Sequence, residues 1–220
     1  MQRILTANVA DNLYWLGRHL ERAEATLLAI NEIYDLIIDI EFDAGKKFYK
    51  KLGVDLEYNN ASDFLQQAIL GSHTANLKNI VCAARENAII SRGFISSEAF
   101  GSIIQLSMLF TEASETNALP DYLFIDEALS LISEIWGELI RLQSRDLNYY
   151  FMRFGKNVET VDVQLRLGRE KEYALIILDE IDNIISILGF EEHRMHHSES
   201  DSIEAILDSV NTKVNQLIKY

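Results

Sequence analysis

Nine positions near the start of the chain, Val9, Leu13, Leu16, Leu20, Ala23, Leu27, Ile30, Tyr34 and Ile37, are spaced alternately four and three residues apart without a break. A strand would put alternate residues on opposite faces. This spacing instead puts all nine on one edge of a helix, as in a helical bundle. It predicts a helix over about Asn8 to Ile40. Pro120 is the only proline and glycine is sparse, so the rest of the chain is also suited to long helices with few sharp turns.

Further helices follow from caps and breakers. A short piece is expected after Gly45, and "GVDLEYNN" reads as a loop. Ser62 suits the N-cap of a helix ending at Gly71, and Ser72 the cap of one reaching Arg92. "SSEAF" restarts a helix at Ser96 or Ser97 that runs to Thr116, and "TNALPD" breaks it. Helices over about 121–143, 146–167 and onward to Gly189 complete a core of 8–190. The polar connector "FEEHRMHHSESD" then leads to a last helix over 202–218. No alternating strand pattern of useful length occurs. The expected architecture is a single all-α domain, 1–220, a bundle of six to eight helices.

The helix near 147–165 weakly repeats the first one. Its apolar positions Leu147, Phe151, Phe154, Val158, Val161 and Leu165 are the first seam shifted by 138 residues. At that offset Gly17 meets Gly155, Arg18 meets Lys156, Glu21 meets Glu159 and Glu24 meets Asp162. Two bundle helices share a 4-3 seam by default; polar residues keeping the same register are the informative part.

The side of the first helix away from its seam is also unusual. Arg18 points opposite the seam, with Tyr14, Glu21, Arg22, Ala25 and Ala29 around it and Trp15 at the edge. A solvated face with weak charge pairs is one reading. A helix contacted on two sides, with Arg18 and Glu21 in a semi-buried ionic network, is the other. The aromatics favour the second, because Tyr and Trp commonly sit beside buried arginine. A second concentration is "AARENAIISRGFISSEAF", where Arg85 and Arg92 share a helix face and Glu98 falls in the first turn of the next helix. Helix-end chemistry with surface arginines explains it equally well.

Composition narrows the function classes. A net charge of −14 opposes general nucleic-acid binding and docking on an anionic membrane. The most apolar stretch, "YALIILDEIDNIISILGF", carries Asp179, Glu180 and Asp182 and reads as a buried helix rather than a membrane span. No signal-peptide pattern is visible, so a cytoplasmic location is expected. The lone Cys82 excludes an internal disulfide and a cysteine zinc cluster, and reads as a buried inert thiol.

Three segments, "NVADNLYWLGRHLERAE", "AARENAIISRGFISSEAF" and "RDLNYYFMRFGKNVETVD", resemble in order the signature segments of the alpha-E domain family, a bacterial all-helical family named for its Glu-Arg motifs. The first segment matches best, from Asn12 to Glu24; the second matches around Arg85, Glu86, Arg92 and Glu98. The third matches at Arg145, Asp146, Phe151, Arg153, Gly155 and Glu159, but has Glu159-Thr160 in place of a second Glu-Arg pair and Lys156 in place of an arginine. The resemblance implies no established activity. It does imply association with circularly permuted ATP-grasp and transglutaminase-like proteins, hence with making or trimming peptide or amide bonds.

Motifs of known chemistry are sparse in the chain. A ferritin-like di-metal site needs Glu-x-x-His, and the residues three before each histidine are Leu16, Leu70, Phe190, His193 and Arg194. His193, His196 and His197 sit in the polar connector, so no metal site is expected. A GxxxxGK[ST] phosphate loop is absent, and no cofactor is expected. Three functions stay open. The favoured one is a non-catalytic accessory module of an amide-forming system, contacting an ATP-grasp ligase, a transglutaminase-like protein, or an anionic or peptide ligand. The second is an enzyme using the Arg-Glu cluster on a carboxylate- or amide-bearing substrate. The third is a structural or homodimerising protein. The candidate cluster is Tyr14, Trp15, Arg18, Glu21, Arg22, Arg85, Glu86, Arg92, Glu98, Arg153, Lys156 and Glu159, with the arginines as anion donors. A shared site requires Arg18, Arg85 and Arg153 to converge on one cleft.

Overall fold

In the computed structural model, the residues described are 5–116, 118–141, 147–169, 171–189, and 202, 205, 206, 208–210 and 212. They are all-helical apart from turns and loops: α1 Ala7–Asp39, α2 Ala44–Lys51, α3 Ala61–Leu70, α4 Leu77–Ile90, a 3-10 turn Arg92–Phe94, α5 Ser97–Thr116, α6 Tyr122–Arg141, α7 Leu147–Leu167 and α8 Lys171–Ile187. At about 1.5 Å per residue, α1 is roughly 50 Å long and reaches most of the molecule. It packs on α7, α4, α2, α3 and α6.

That central position explains the burial of α1. Its seam residues Leu13, Leu16, Leu20, Leu27 and Ile30 are fully enclosed, mostly within the core formed with α2–α6. The opposite side is buried too, with Tyr14, Arg18, Ala29 and Ile33 inside. Tyr14 belongs to a second core with Phe154, Val158, Val161 and Leu165 of α7 and the apolar face of α8. The helix is therefore contacted on both sides.

The expected helix starts are corrected at two places. Asn60, not Ser62, caps α3, its side chain accepting from the Asp63 N–H at 2.9 Å. Asn76, not Ser72, caps α4, accepting from the Asn79 N–H at 2.9 Å and donating to the His73 carbonyl. Both loops are rich in cap-competent residues, and at Asn76 the amide also serves the preceding turn through the His73 carbonyl. Ser96 does cap α5, accepting from Ala99 N–H at 3.0 Å. Ser202 accepts from the Ala205 N–H at 3.2 Å, and Ile206 and Val210 join the second core. Arg145, Asp146, His193, His196, His197 and most of the expected 202–218 helix lie outside the described residues.

Candidate functional site: the Glu-Arg motif between α1 and α7

The contacts between α1 and α7 advance in the same direction along both helices. The Tyr14 and Phe154 rings lie 5.3 Å apart, Gly17 lies against Met152 and Lys156, Arg22 reaches Glu159, and Thr26 lines one cavity with Asp162. The two helices thus run parallel. They touch backbone to backbone. A Cβ at Gly17 would overlap the Met152 carbonyl oxygen, and one at Gly155 would overlap the Tyr14 carbonyl oxygen. Glycine is required at both positions because only its lack of a side chain permits that approach. The contacts are reciprocal at the 138-residue offset, which takes Tyr14 to Met152 and Gly17 to Gly155.

One buried carboxylate organises the first half of the site. Glu159 is 1% exposed. It accepts from Arg18 Nε at 2.7 Å, from Arg22 Nε at 2.5 Å and from Arg22 Nη2 at 2.9 Å. Arg18 also donates from Nη1 to the Tyr14 hydroxyl at 3.3 Å, and its guanidinium lies 5.2 Å from the Trp15 ring centre. Burial works against the Arg18 charge, but Glu159 and Tyr14 outweigh it and hold the guanidinium above its usual pKa. Burial pushes Tyr14 up to about 12, against the pull of Arg18, so its hydroxyl is neutral. His19, stacked on Trp15, is driven down to about 4 by burial and by Arg22, and is a neutral ring at pH 7.

The second half repeats this arrangement with weaker groups. Lys156 Nζ lies 3.3 Å from Glu21 Oε2, and the Thr160 hydroxyl donates to Glu21 Oε1 at 2.8 Å. Lys156 and Thr160 stand where Arg18 and Arg22 stand in the first half, and Glu21 where Glu159 stands. Burial raises the Glu21 carboxyl above its ordinary value, opposed by Lys156 and Thr160. Lys156 also sits 3.9 Å from the Trp136 ring centre, while Trp136 Nε1 donates to Glu24 Oε2 at 2.9 Å.

Glu21 and Arg22 therefore do not pair with each other. They leave α1 in different directions, Glu21 to Lys156 and Thr160, Arg22 to Glu159. Tyr14, Trp15, Arg18, Glu21, Arg22, Lys156 and Glu159 come together as expected from sequence. The wider convergence does not occur. Arg85 pairs with its exposed neighbour Glu86 at 2.6 Å, Arg92 lies over Phe100, and Glu98 is exposed in the first turn of α5. Arg153 donates to Glu180 of α8 at 3.0 Å and lines the cleft that also holds Glu21 and Lys156, but Arg18 and Arg85 do not line that cleft. A shared face within α4 and the 3-10 turn does not carry Arg85 and Arg92 to α7. The reading of Arg18, Arg85 and Arg153 as one site is corrected accordingly. The candidate cluster left out Trp136, Glu24, Thr160 and Glu180, although the offset and the Glu159-Thr160 departure had already marked Glu24 and Thr160.

Two cavities flank this junction. One, of about 310 Å³, opens beside Arg22 and Glu159 and is walled by α2, α4 and α7. The other, an open cleft of about 600 Å³, lies beside Glu21 and Lys156 and extends to α6 and α8. Arg85 and Arg92 line neither. Among the described residues no group of three His, Cys, Asp or Glu side chains is placed to hold a metal ion, and no helix is long and apolar enough to cross a membrane.

The fold and the junction define an all-helical domain built on a Glu-Arg dipeptide at the contact of two parallel helices. Residues 5–214 match the Alpha-E family, described as a predicted alpha-helical domain with a conserved ER motif, and the chain belongs to that family. Glu21-Arg22 is the only Glu-Arg dipeptide in the sequence. No curated protein and no solved structure matches the chain.

Proposed function

We propose that this protein is a non-catalytic helical module that serves a peptide- or amide-bond-forming system in the bacterial cytoplasm, with a circularly permuted ATP-grasp ligase or a transglutaminase-like protein as partner. We further propose that α1 and α7 are related copies of one helix, the α7 copy having lost its arginines. The observation that carries the module role is the use of the Glu-Arg motif. Both of its charges hold α1 against α7, with Glu159 and Lys156 as their partners, and Arg22 keeps a partly exposed edge beside a cavity. Groups so paired serve as a frame, and the clefts beside them serve as receiving surfaces. The test is turnover by the purified ligase encoded next to this gene, with and without this protein. The module role predicts faster turnover or altered product length with the protein present, and no turnover by the protein alone.

A second reading, an enzyme acting on a carboxylate- or amide-bearing substrate, draws support from one observation. Glu21, with its carboxyl raised by burial, lines the 600 Å³ cleft together with Lys156. A largely buried carboxyl beside an ammonium can serve as an acid–base pair. Under this reading Glu21→Gln abolishes turnover; under the module reading it leaves the ligase's own chemical step intact.

A further inference from the structure

The 310 Å³ cavity beside Arg22 has a charge balance that its wider neighbour lacks. Its lining carries Arg22 and Arg166 against Glu159 and Asp162, but Glu159 is shared with the buried Arg18 behind the lining, so the cluster as a whole has one positive charge in excess. Arg166, also on the lining, is neutralised by Asp162 through bonds of 3.2 and 2.9 Å. Lys51 adds a further ammonium at the rim, 3.0 Å from the Leu167 carbonyl. The excess charge is on the accessible side. Arg18's side chain is 10% exposed, whereas that of Arg22 is 36% exposed and faces the cavity. Across the junction the corresponding position is Thr160, and the 600 Å³ cleft balances Lys156, Arg153 and Arg169 against Glu21, Glu24 and Glu180.

The remaining lining sets the ligand's other features. Phe48, Leu52 and Ile80 form an apolar wall, and Thr26 supplies a hydroxyl. A volume of about 310 Å³ is at the small end of ligand pockets, room for one residue at a chain end and not for a folded partner. Both acidic side chains of the lining, Glu159 and Asp162, are already paired with arginines. An ammonium group would thus meet excess positive charge with no free carboxylate to receive it, and an acylated amine is preferred.

We propose that this cavity binds the C-terminal carboxylate of a short peptide or N-acylated amino acid with an apolar last residue, its carboxylate on Arg22 and Arg166 and its side chain on Phe48 and Ile80. This names a ligand class for the module and rests on the reading above for its biological use, but the binding itself is measured on the isolated protein. A ligase that ignores the module leaves this result standing, and a failure here leaves the ligase test standing.

The experiment is titration calorimetry with N-acetyl-leucine, N-acetyl-leucinamide and free leucine. N-acetyl-leucine is expected to bind at least about tenfold more tightly than the amide, the usual worth of a charge-assisted contact. Free leucine is expected to bind more weakly than N-acetyl-leucine. Thr74→Glu places a carboxylate at the exposed edge of the cavity, away from the α1–α7 junction. It should weaken N-acetyl-leucine by about tenfold while leaving the amide and the melting temperature unchanged. Asp162→Asn with Arg166→Gln removes a neutral pair and should weaken the acid selectively. Equal affinity for acid and amide, an unaltered affinity in Thr74→Glu, or no binding of N-acetyl-leucine at about 10 mM overturns the site. Free leucine binding as tightly as N-acetyl-leucine overturns the preference for a peptide end.

Discussion

Glycine-to-alanine substitution inside a helix ordinarily stabilises it by about 1 kcal/mol, because alanine loses less backbone entropy. Gly155→Ala should do the opposite. Its Cβ would overlap the Tyr14 carbonyl oxygen and press on the Arg18 N–H, and both are backbone atoms that no rotamer change can move. The two helices must separate by roughly an ångström, with an overpacking cost of about 1–3 kcal/mol, and the separation stretches the bonds to Glu159 as well. Against the propensity gain, the net loss is up to about 2 kcal/mol, a fall of up to about 8 °C in melting temperature for a chain of this length. Gly17→Ala meets the Met152 carbonyl and should behave alike. Gly101 and Gly137 are helical glycines with nothing within 4 Å of an added Cβ, and serve as controls. Each alanine there should raise the melting temperature by about 2–4 °C. The assay is thermal unfolding followed by far-ultraviolet circular dichroism. If Gly155→Ala proves as stable as Gly137→Ala, α1 and α7 do not meet where described, and the reasoning is refuted.

Other expectations follow from the same junction. Thr160→Arg recreates a Glu-Arg pair at Glu159 and offers Glu21 a guanidinium where it now has a hydroxyl, so it should raise the melting temperature by about 2–4 °C; a fall would contradict the equivalence of the two halves. His19 takes up its proton at about 4 in the folded protein rather than at its ordinary 6.5, so the folded state binds fewer protons in that window. Stability is therefore lost as pH falls from 6.5 towards 4, by up to about 3 kcal/mol. His19→Gln should remove that component of the difference between urea-unfolding curves at pH 7 and pH 4.5. Arg85→Ala and Glu86→Ala, an exposed neighbouring pair, should each change stability by less than about 0.5 kcal/mol in the same assay.

The helical class and the span of α1 were legible because a long 4-3 seam has no other fold, and the two-sided burial of α1 could be inferred from Tyr14 and Trp15 beside Arg18. Pairing was not legible. Glu159 lies 141 residues from Arg18; the offset marks it as the counterpart of Glu21, but nothing in the sequence makes it the partner of Arg18 and Arg22 until α7 packs on α1. Shared helical face is a local property, and it wrongly grouped Arg85 and Arg92 with the junction, because which helix covers a face depends on the intervening loops. The alignment of Gly17 with Gly155 at the same offset as the charges was the sequence's best indication of the α1–α7 contact. Helix starts were missed at Asn60 and Asn76 for a simpler reason: several good capping residues lay within reach in each loop.

The claim most in need of direct test is that the two residues of the Glu-Arg motif act across the α1–α7 interface rather than on each other. A double-mutant cycle measures this. Arg22→Ala and Glu159→Ala, singly and together, should show a coupling of about 2 kcal/mol in urea unfolding, as expected for a desolvated charge pair. The parallel cycle of Arg22→Ala with Glu21→Ala should give less than about 0.5 kcal/mol. Strong coupling between Arg22 and Glu21, with none between Arg22 and Glu159, would contradict the account.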